Sequence, residues 1–212
     1  MKIYFDGCSM TKGGARWLGD NYKDIRWSKL LCNKLGAEEH NFAEGGGSNQ
    51  RIWRNITTDN YDKTYDLAII QLTFPSRTEW YNGEEFVSIN SHIVRKSDGS
   101  YFIPKTDITT MTPEKRRRKN NGRTSTYWQM YYERIYDDVY GETIERSVYN
   151  SVKSIFKAKN TKLILLSCYK HTKLDYDIMI TSNNYETVSE TDGHPNKNSQ
   201  ELIANDIYNL LQ

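Results

Sequence analysis

The chain has 212 residues, enough for one domain whose compact fold buries roughly 70% of the surface its unfolded form exposes, so no disulfide or metal staple is required. With 29 Lys plus Arg against 27 Asp plus Glu, the formal net charge is +2, which argues against bulk affinity for nucleic acid. Hydrophobic residues make up only 37%, but aromatics supply 13%, with 16 Tyr and 5 Trp; this composition excludes a disordered chain and predicts an aromatic-heavy core.

Lys2 to Phe5 is a short apolar run stopped by Asp6-Gly7, which reads as a buried strand entering a tight turn. Trp27, Leu30, Leu31, Asn33 and Leu35 follow at helical spacing, with Gly36 as the stop. Glu39 to Ala43 reads as a strand ending in Gly45-Gly46-Gly47, after which Ser48 or Asn49 caps a helix carrying Ile52, Trp53 and Ile56. Leu67 to Leu72 (LAIIQL) is a continuous apolar run of the kind a parallel strand needs when both faces are covered. A helical stretch is predicted from Tyr127 to Ala158 with an interruption at Gly141, and Leu163 to Ser167 is a second buried strand. In the last helix, Asn198 to Leu211, Asn198 and Glu201 have capping-box spacing and Leu202, Ile203, Ile207 and Leu210 share a face. Alternating short apolar strands and helices predict a three-layer α/β/α fold with a mostly parallel sheet, in which ligands bind beyond the carboxyl ends of the strands.

One region breaks this rhythm. Between Trp80 and Thr126, Asn82-Gly83 and Asp98-Gly99 are turn signals beside strand candidates Phe86 to Ile89 and Tyr101 to Ile103. Residues 81–126 therefore read as a hairpin-bearing insertion or lid on a single domain spanning 1–212. It contains the basic run Lys115 to Lys119, a solvated loop or a local grip for a polyanion such as nucleic acid. The Tyr127, Tyr131, Tyr132, Tyr136 and Tyr140 series is best explained as a buried or interfacial helix face.

Cys8, Cys32 and Cys168 cannot all pair within one chain and match no zinc spacing. They point to a reducing compartment. The first residues contain no apolar leader core with a cleavage site, and no segment approaches the roughly 18 apolar residues of a membrane span. The expectation is a soluble, cytoplasmic protein that meets no membrane. His40, His92 and His171 show no ligand spacing, the carboxylates form no metal cluster, and no cofactor is implied.

The loops after the strands hold a distinctive set of groups. Ser9 follows the first strand, Gly45-Gly46-Gly47 the second, Thr73 to Glu79 the third, and Asp192-Gly193-His194 stands just before the last helix. A serine on a strand-to-helix turn, glycines whose N–H groups can approach closely and an Asp beside a His are the parts of an acyl-transfer site. The imidazole takes the serine proton, the carboxylate fixes its tautomer and backbone N–H groups receive the oxyanion.

With those residues in order along the chain, the sequence resembles the SGNH hydrolases, also called GDSL-type esterases. Gly7-Cys8-Ser9-Met10 resembles the family's nucleophile block, with Cys8 where Asp is usual. Asn41 to Asn49 resembles the block that supplies the oxyanion glycine, with Gly46 the best match, and Asp192 to Asn196 the block carrying the catalytic Asp and His. The resemblance implies a flavodoxin-like core and a serine hydrolase cleaving a carboxylic ester, such as a short acyl group on a carbohydrate, through an acyl-enzyme. It makes Ser9 the nucleophile, His194 the base, Asp192 the acid with Glu190 in reserve, and Ser9, Gly46 and Thr73 the oxyanion donors. Thr73 stands where the family has Asn, and losing one such donor costs roughly 3 kcal/mol. The acid falls two residues before His194 instead of three. Arg77, Glu79 and Asn49 are candidate substrate-binding residues, Arg77 and Glu79 being equally readable as a surface ion pair. Cys8 is a rival nucleophile that reads better as a small apolar packing group. A diverged module that binds without turnover is the other function these departures allow.

Overall fold

The computed structural model describes residues 1–81, 86–89, 94–95, 101–102, 136–169, 174–189 and 192–212. Strands β1 (Lys2–Asp6), β2 (Glu38–Asn41), β3 (Leu67–Leu72), β8 (Lys162–Ser167) and β9 (Ile178–Met179) form one sheet in the order β2-β1-β3-β8-β9, every neighbouring pair parallel. Setting aside the small hairpins, this is the 2-1-3-4-5 order of flavodoxin-like folds, in which the chain reverses direction between β1 and β3. The crevice beyond the carboxyl ends of those two strands is where a ligand site belongs.

All six residues of β3 are buried, which explains its unbroken apolar run: each face of the sheet has its own helical cover. On one face Ile3, Phe5, Ile69, Ile164 and Leu166 pack against Trp27, Leu31 and Cys32 of α4 (Trp27–Leu35) and Ile203, Ala204 and Ile207 of the C-terminal helix (Lys197–Leu211). On the other, Tyr4, Ala68, Ile70 and Leu72 meet Ile52 of α5 (Asn49–Arg54), Ile56 of the π-helical turn that continues it, and Val148, Val152 and Phe156 of α6 (Asp138–Ala158). The C-terminal helix is α7. Between β1 and α4 lie three single-turn helices that the sequence pattern does not reveal, α1 (Ser9–Lys12), α2 (Ala15–Leu18) and α3 (Tyr22–Ile25).

Several boundaries differ from the sequence reading for identifiable reasons. The α6 helix starts at Asp138, where the Asp137 carboxylate accepts the Tyr140 N–H at 2.6 Å, and residues 127–135 lie outside the described ones. Gly141 does not interrupt it. A Cβ there would come within 2.5 Å of the Tyr136 hydroxyl, so this glycine makes room for an aromatic ring. The cap of α7 is Asn196, accepting from Ser199 N–H at 3.0 Å, and Asn198 lies one residue inside the helix. Its buried stripe is Ser199, Gln200, Ile203, Ala204 and Ile207, while Leu202 and Leu210 are half exposed, as is Trp53 on α5. Ser48 caps α5 as expected, accepting from Arg51 N–H at 3.1 Å.

Of the region 81–126, the described parts are strands: β4 (Thr78–Tyr81) pairs antiparallel with β5 (Phe86–Ile89), and β6 (Val94–Arg95) with β7 (Tyr101–Phe102). The run Lys115 to Lys119 lies outside the described residues, as do His92, His171 and Glu190. The final hairpin, β10 (Thr187–Ser189) with β11 (Asp192–Pro195), turns what reads as a loop into a strand. Among the described residues no helix is long and apolar enough to cross a membrane.

Candidate active site

Chain direction alone brings the two ends of the sequence together. β1 delivers Ser9 to the carboxyl edge of the sheet as the first residue of α1, and β11 delivers His194 beside it just before α7. The Ser9 Oγ lies 2.8 Å from His194 Nε2, and His194 Nδ1 lies 2.5 Å from Asp192 Oδ1. Ser9 and His194 are 185 residues apart in sequence. The two-residue spacing of Asp192 and His194 follows from the strand: alternate residues of an extended chain project to the same side, so these two side chains are neighbours. The same carboxylate oxygen accepts the His194 backbone N–H at 3.2 Å, which fixes it at the ring's back edge.

Below the histidine, β11 is bolted to the helical layer. The amide of the fully buried Gln200 donates to Pro195 O at 3.0 Å and accepts the Trp27 N–H at 3.0 Å. Asn196 N–H adds a bond to Glu186 O at 3.0 Å. Over the imidazole lies the indole of Trp17, a half-buried residue of α2, with ring centroids 4.0 Å apart and planes inclined by 21°.

The chain turns sharply between Cys8 and Ser9, and the two side chains part. Cys8 is buried, its Sγ 3.4 Å from the Gln71 Nε2 that donates to it. It lies away from the imidazole among Gln71, Thr73, Arg77 and Cys168; hydrogen bonding with Cys8, then burial, push the Cys168 thiol well above its ordinary range. Ser9, the other member of the rival pair, is the one that meets His194.

The glycine loop is built against this turn. Glu44 N–H donates to Gly7 O at 3.2 Å, and Gly47 N–H closes back on Glu44 O at 2.8 Å. Gly46 takes a left-handed φ of 73°, open to glycine and costly for most side chains. A Cβ on Gly47 would sit 3.0 Å from Gly7 O and 3.1 Å from Glu44 O, so the loop and the serine turn meet backbone to backbone. Arg51 ties them: its guanidinium donates to the Asp6 carboxylate at 2.9 Å and to Phe42 O. Asp6 is fully buried, and burial raises its carboxyl above the usual range while Arg51, Asn55 and the Gly7 N–H pull the other way.

The remaining candidates sit near the site but are engaged elsewhere. Thr73 is fully enclosed, its Oγ1 accepting from Arg77 Nη1 at 2.8 Å. Asn49, also buried, clamps the Thr73 backbone, accepting its N–H at 2.8 Å and donating to its O at 3.0 Å. Glu79 forms a two-pronged pair with Arg54 at 2.8 and 3.0 Å, and Arg77 points inward to Thr73 while lying over the Phe74 ring. Asn49, Glu79 and Arg77, the candidate substrate-binding residues, thus make contacts that hold the β3 exit together, and Arg77 and Glu79 have Thr73 and Arg54 as their partners instead of each other. Beside the glycine loop an open groove of about 510 Å³ is lined mostly by polar side chains, among them Lys12, Lys23, Arg26 and Glu44, together with Phe42 and Ala43, with the Lys12–Glu44 ion pair at 2.6 Å. Among the described residues, no group of three or more His, Cys, Asp or Glu side chains could hold a metal ion.

Trp17, Gln200 and Arg51 were not singled out by the sequence. Only Gln200 carried a hint, being a polar residue on the buried stripe of a helical pattern.

No protein-family model and no curated protein sequence matches the chain. Among solved structures it is similar to an acetyl xylan esterase, with a TM-score of 0.52 at 12% identity over 100% of both chains. It is also similar to a carbohydrate esterase whose active site displays divergent catalytic and non-catalytic binding functions, with a TM-score of 0.51 at 14% identity over 100% of this chain and 64% of that one. At such identities the likeness is one of architecture: the chain shares the α/β fold of these structures, with its mostly parallel five-stranded sheet.

Proposed function

We propose that the protein is a serine esterase that hydrolyses a carboxylic ester through an acyl-enzyme. The observation that carries this reading is the in-line contact of Ser9 Oγ, His194 and Asp192. Ser9 attacks the ester carbonyl as His194 Nε2 takes its proton, and Asp192 holds Nδ1–H and balances the imidazolium. The tetrahedral oxyanion is received by the N–H groups of Ser9 and Gly46. Ser9 opens a helical turn, so its N–H has no partner within that turn. The imidazolium then protonates the leaving alkoxide, the alcohol departs, and water repeats the sequence on the acyl-Ser9 ester to release the acid and restore the serine.

Thr73 is left out of this set because its hydroxyl is enclosed and held by Arg77. With two backbone donors in place of three, turnover is expected to be modest. The polar groove beside the glycine loop suits a hydroxyl-rich alcohol more than a long acyl chain, and with Lys12 paired to Glu44 and Arg26 to Glu39 its remaining charge is that of Lys23. This supports a short acyl group on a carbohydrate as the substrate class. A panel of chromogenic esters from acetyl to octanoyl tests it: rates should fall with acyl length and vanish in Ser9→Ala. Equal rates in Ser9→Ala would overturn the assignment. The enclosure of Thr73 is also the observation that favours the second reading, binding of such a ligand without turnover; a folded wild type inert to the whole panel would select it.

A further inference from the structure

The Trp17–His194 contact has features that core packing does not explain. Trp17 belongs to neither buried cluster and is half-buried, yet its ring pair is the closest among the described residues, 4.0 Å against 5.1 to 6.1 Å for the others. It is presented by a single helical turn, Ala15–Leu18, set between Gly13-Gly14 and Gly19. Gly14 is extended, with φ of −172°, a conformation any residue adopts. What reserves the position for glycine is the indole itself: a Cβ there would lie 2.6 Å from Trp17 Cη2 and 2.9 Å from Cζ3. The benzo ring therefore lies against the Gly14 position while the indole stacks on the imidazole.

Resting on the reading of Ser9 and His194 given above, we propose that Trp17 is a positioning residue for His194, seated by Gly14, and that it acts mainly once the imidazole has taken the serine proton. The hydrogen bonds to Asp192 and Ser9 hold the two ring nitrogens of the imidazole. They leave the tilt of the ring soft, because the terminal torsion of histidine is broad. A flat indole 4.0 Å above removes that freedom. When the ring becomes imidazolium, the indole face attracts it as a cation, an interaction absent from the neutral ground state. Such a contribution appears in kcat and leaves KM nearly untouched.

The test compares Trp17→Leu, Trp17→Phe, Gly14→Ala and the double variant Gly14→Ala/Trp17→Leu on a chromogenic acetyl ester, beside the rate of labelling by a fluorophosphonate. Trp17→Leu should lower kcat about tenfold, with KM within about twofold of wild type. Trp17→Phe, which keeps a ring face, should recover most of the loss. Gly14→Ala should reproduce the Trp17→Leu defect by displacing the indole and add nothing to it in the double variant, since the two act as one unit. An upfield ring-current shift of the His194 Cε1–H resonance, lost in Gly14→Ala, reads the stack directly even where Trp17→Leu does not fold. An active wild type whose kcat is unchanged by Trp17→Leu, or a Gly14→Ala effect that adds fully to it, overturns the inference alone. A wild type that neither hydrolyses the ester nor takes the label overturns the Ser9–His194 reading and this inference with it.

Discussion

Arg51→Met tests how the serine turn and the glycine loop are held together. Asp6 is fully buried and the Arg51 side chain is 13% exposed, their contact is 2.9 Å, and the same guanidinium reaches Phe42 O. Removing one partner of a buried ion pair leaves an uncompensated charge and typically costs about 3–5 kcal/mol. Here three other donors, Gly7 N–H at 2.8 Å, Asn55 Nδ2 at 2.9 Å and the Tyr4 hydroxyl at 3.0 Å, still hold the carboxylate. The loss should therefore fall near the lower end, about 3 kcal/mol, or roughly 6–12 °C in Tm for a chain of this size. Its pH dependence has a definite sign. Burial already raises the Asp6 carboxyl and Arg51 opposes that rise, so without Arg51 it climbs further. The folded variant then holds a proton that the unfolded chain has released, and its stability falls as pH increases through the window above the unfolded value of 3.8. Urea denaturation in mildly acidic buffer and at neutral pH measures both effects, and adding Asp6→Asn should abolish the pH dependence. A loss under about 1 kcal/mol, or one equal at both pH values, would refute the buried-pair account.

Asp192→Asn should lower kcat by about 10³- to 10⁴-fold with little change in KM, because the amide favours the wrong imidazole tautomer; a loss under tenfold in initial-rate assays would move the acid role to another carboxylate. Gly47→Ala should cost about 1–3 kcal/mol and slow ester hydrolysis, since the two nearest atoms its methyl meets are backbone oxygens that cannot rotate away; wild-type stability and rates would contradict the backbone-to-backbone contact. The three thiols are all buried, and burial with the neighbouring Glu39 pushes Cys32 up to about 12. Native protein at pH 8 should leave a chromogenic disulfide reagent unreacted and release three equivalents after denaturation, so rapid reaction of the folded chain would show that the cysteine environments are misread.

The central strands β1, β3 and β8 were legible in the sequence because parallel strands covered on both faces write themselves as unbroken apolar runs, as LAIIQL at 67–72 does, whereas the two-residue edge strand β9 leaves no such run. Glycine in place of a side chain is harder to interpret: Gly141 reads as a break, and only the packed ring of Tyr136 reveals it as clearance. Strand β11 is illegible for the opposite reason. Asp-Gly-His-Pro carries turn residues, and its extended shape comes from pairing with β10, a contact outside the local pattern. The approach of Ser9 to His194 could be anticipated from the order of the motifs, since both lie at strand-to-helix junctions, Ser9 after β1 and His194 in β11 before α7. What could not be anticipated were the roles of residues defined by a partner far away in sequence. Asn49 reads as a helix cap or a substrate-binding residue and is committed to the Thr73 backbone, and Trp17, which the sequence does not single out, gains its contact only with His194 beneath it.

The central claim is that Ser9 is a nucleophile activated by His194. It is tested most directly by incubating the protein with a fluorophosphonate and locating the adduct by peptide mass spectrometry. The account predicts one adduct per chain, on Ser9, absent from Ser9→Ala and strongly slowed in His194→Gln. An adduct on another residue, or none on folded wild-type protein, would contradict it.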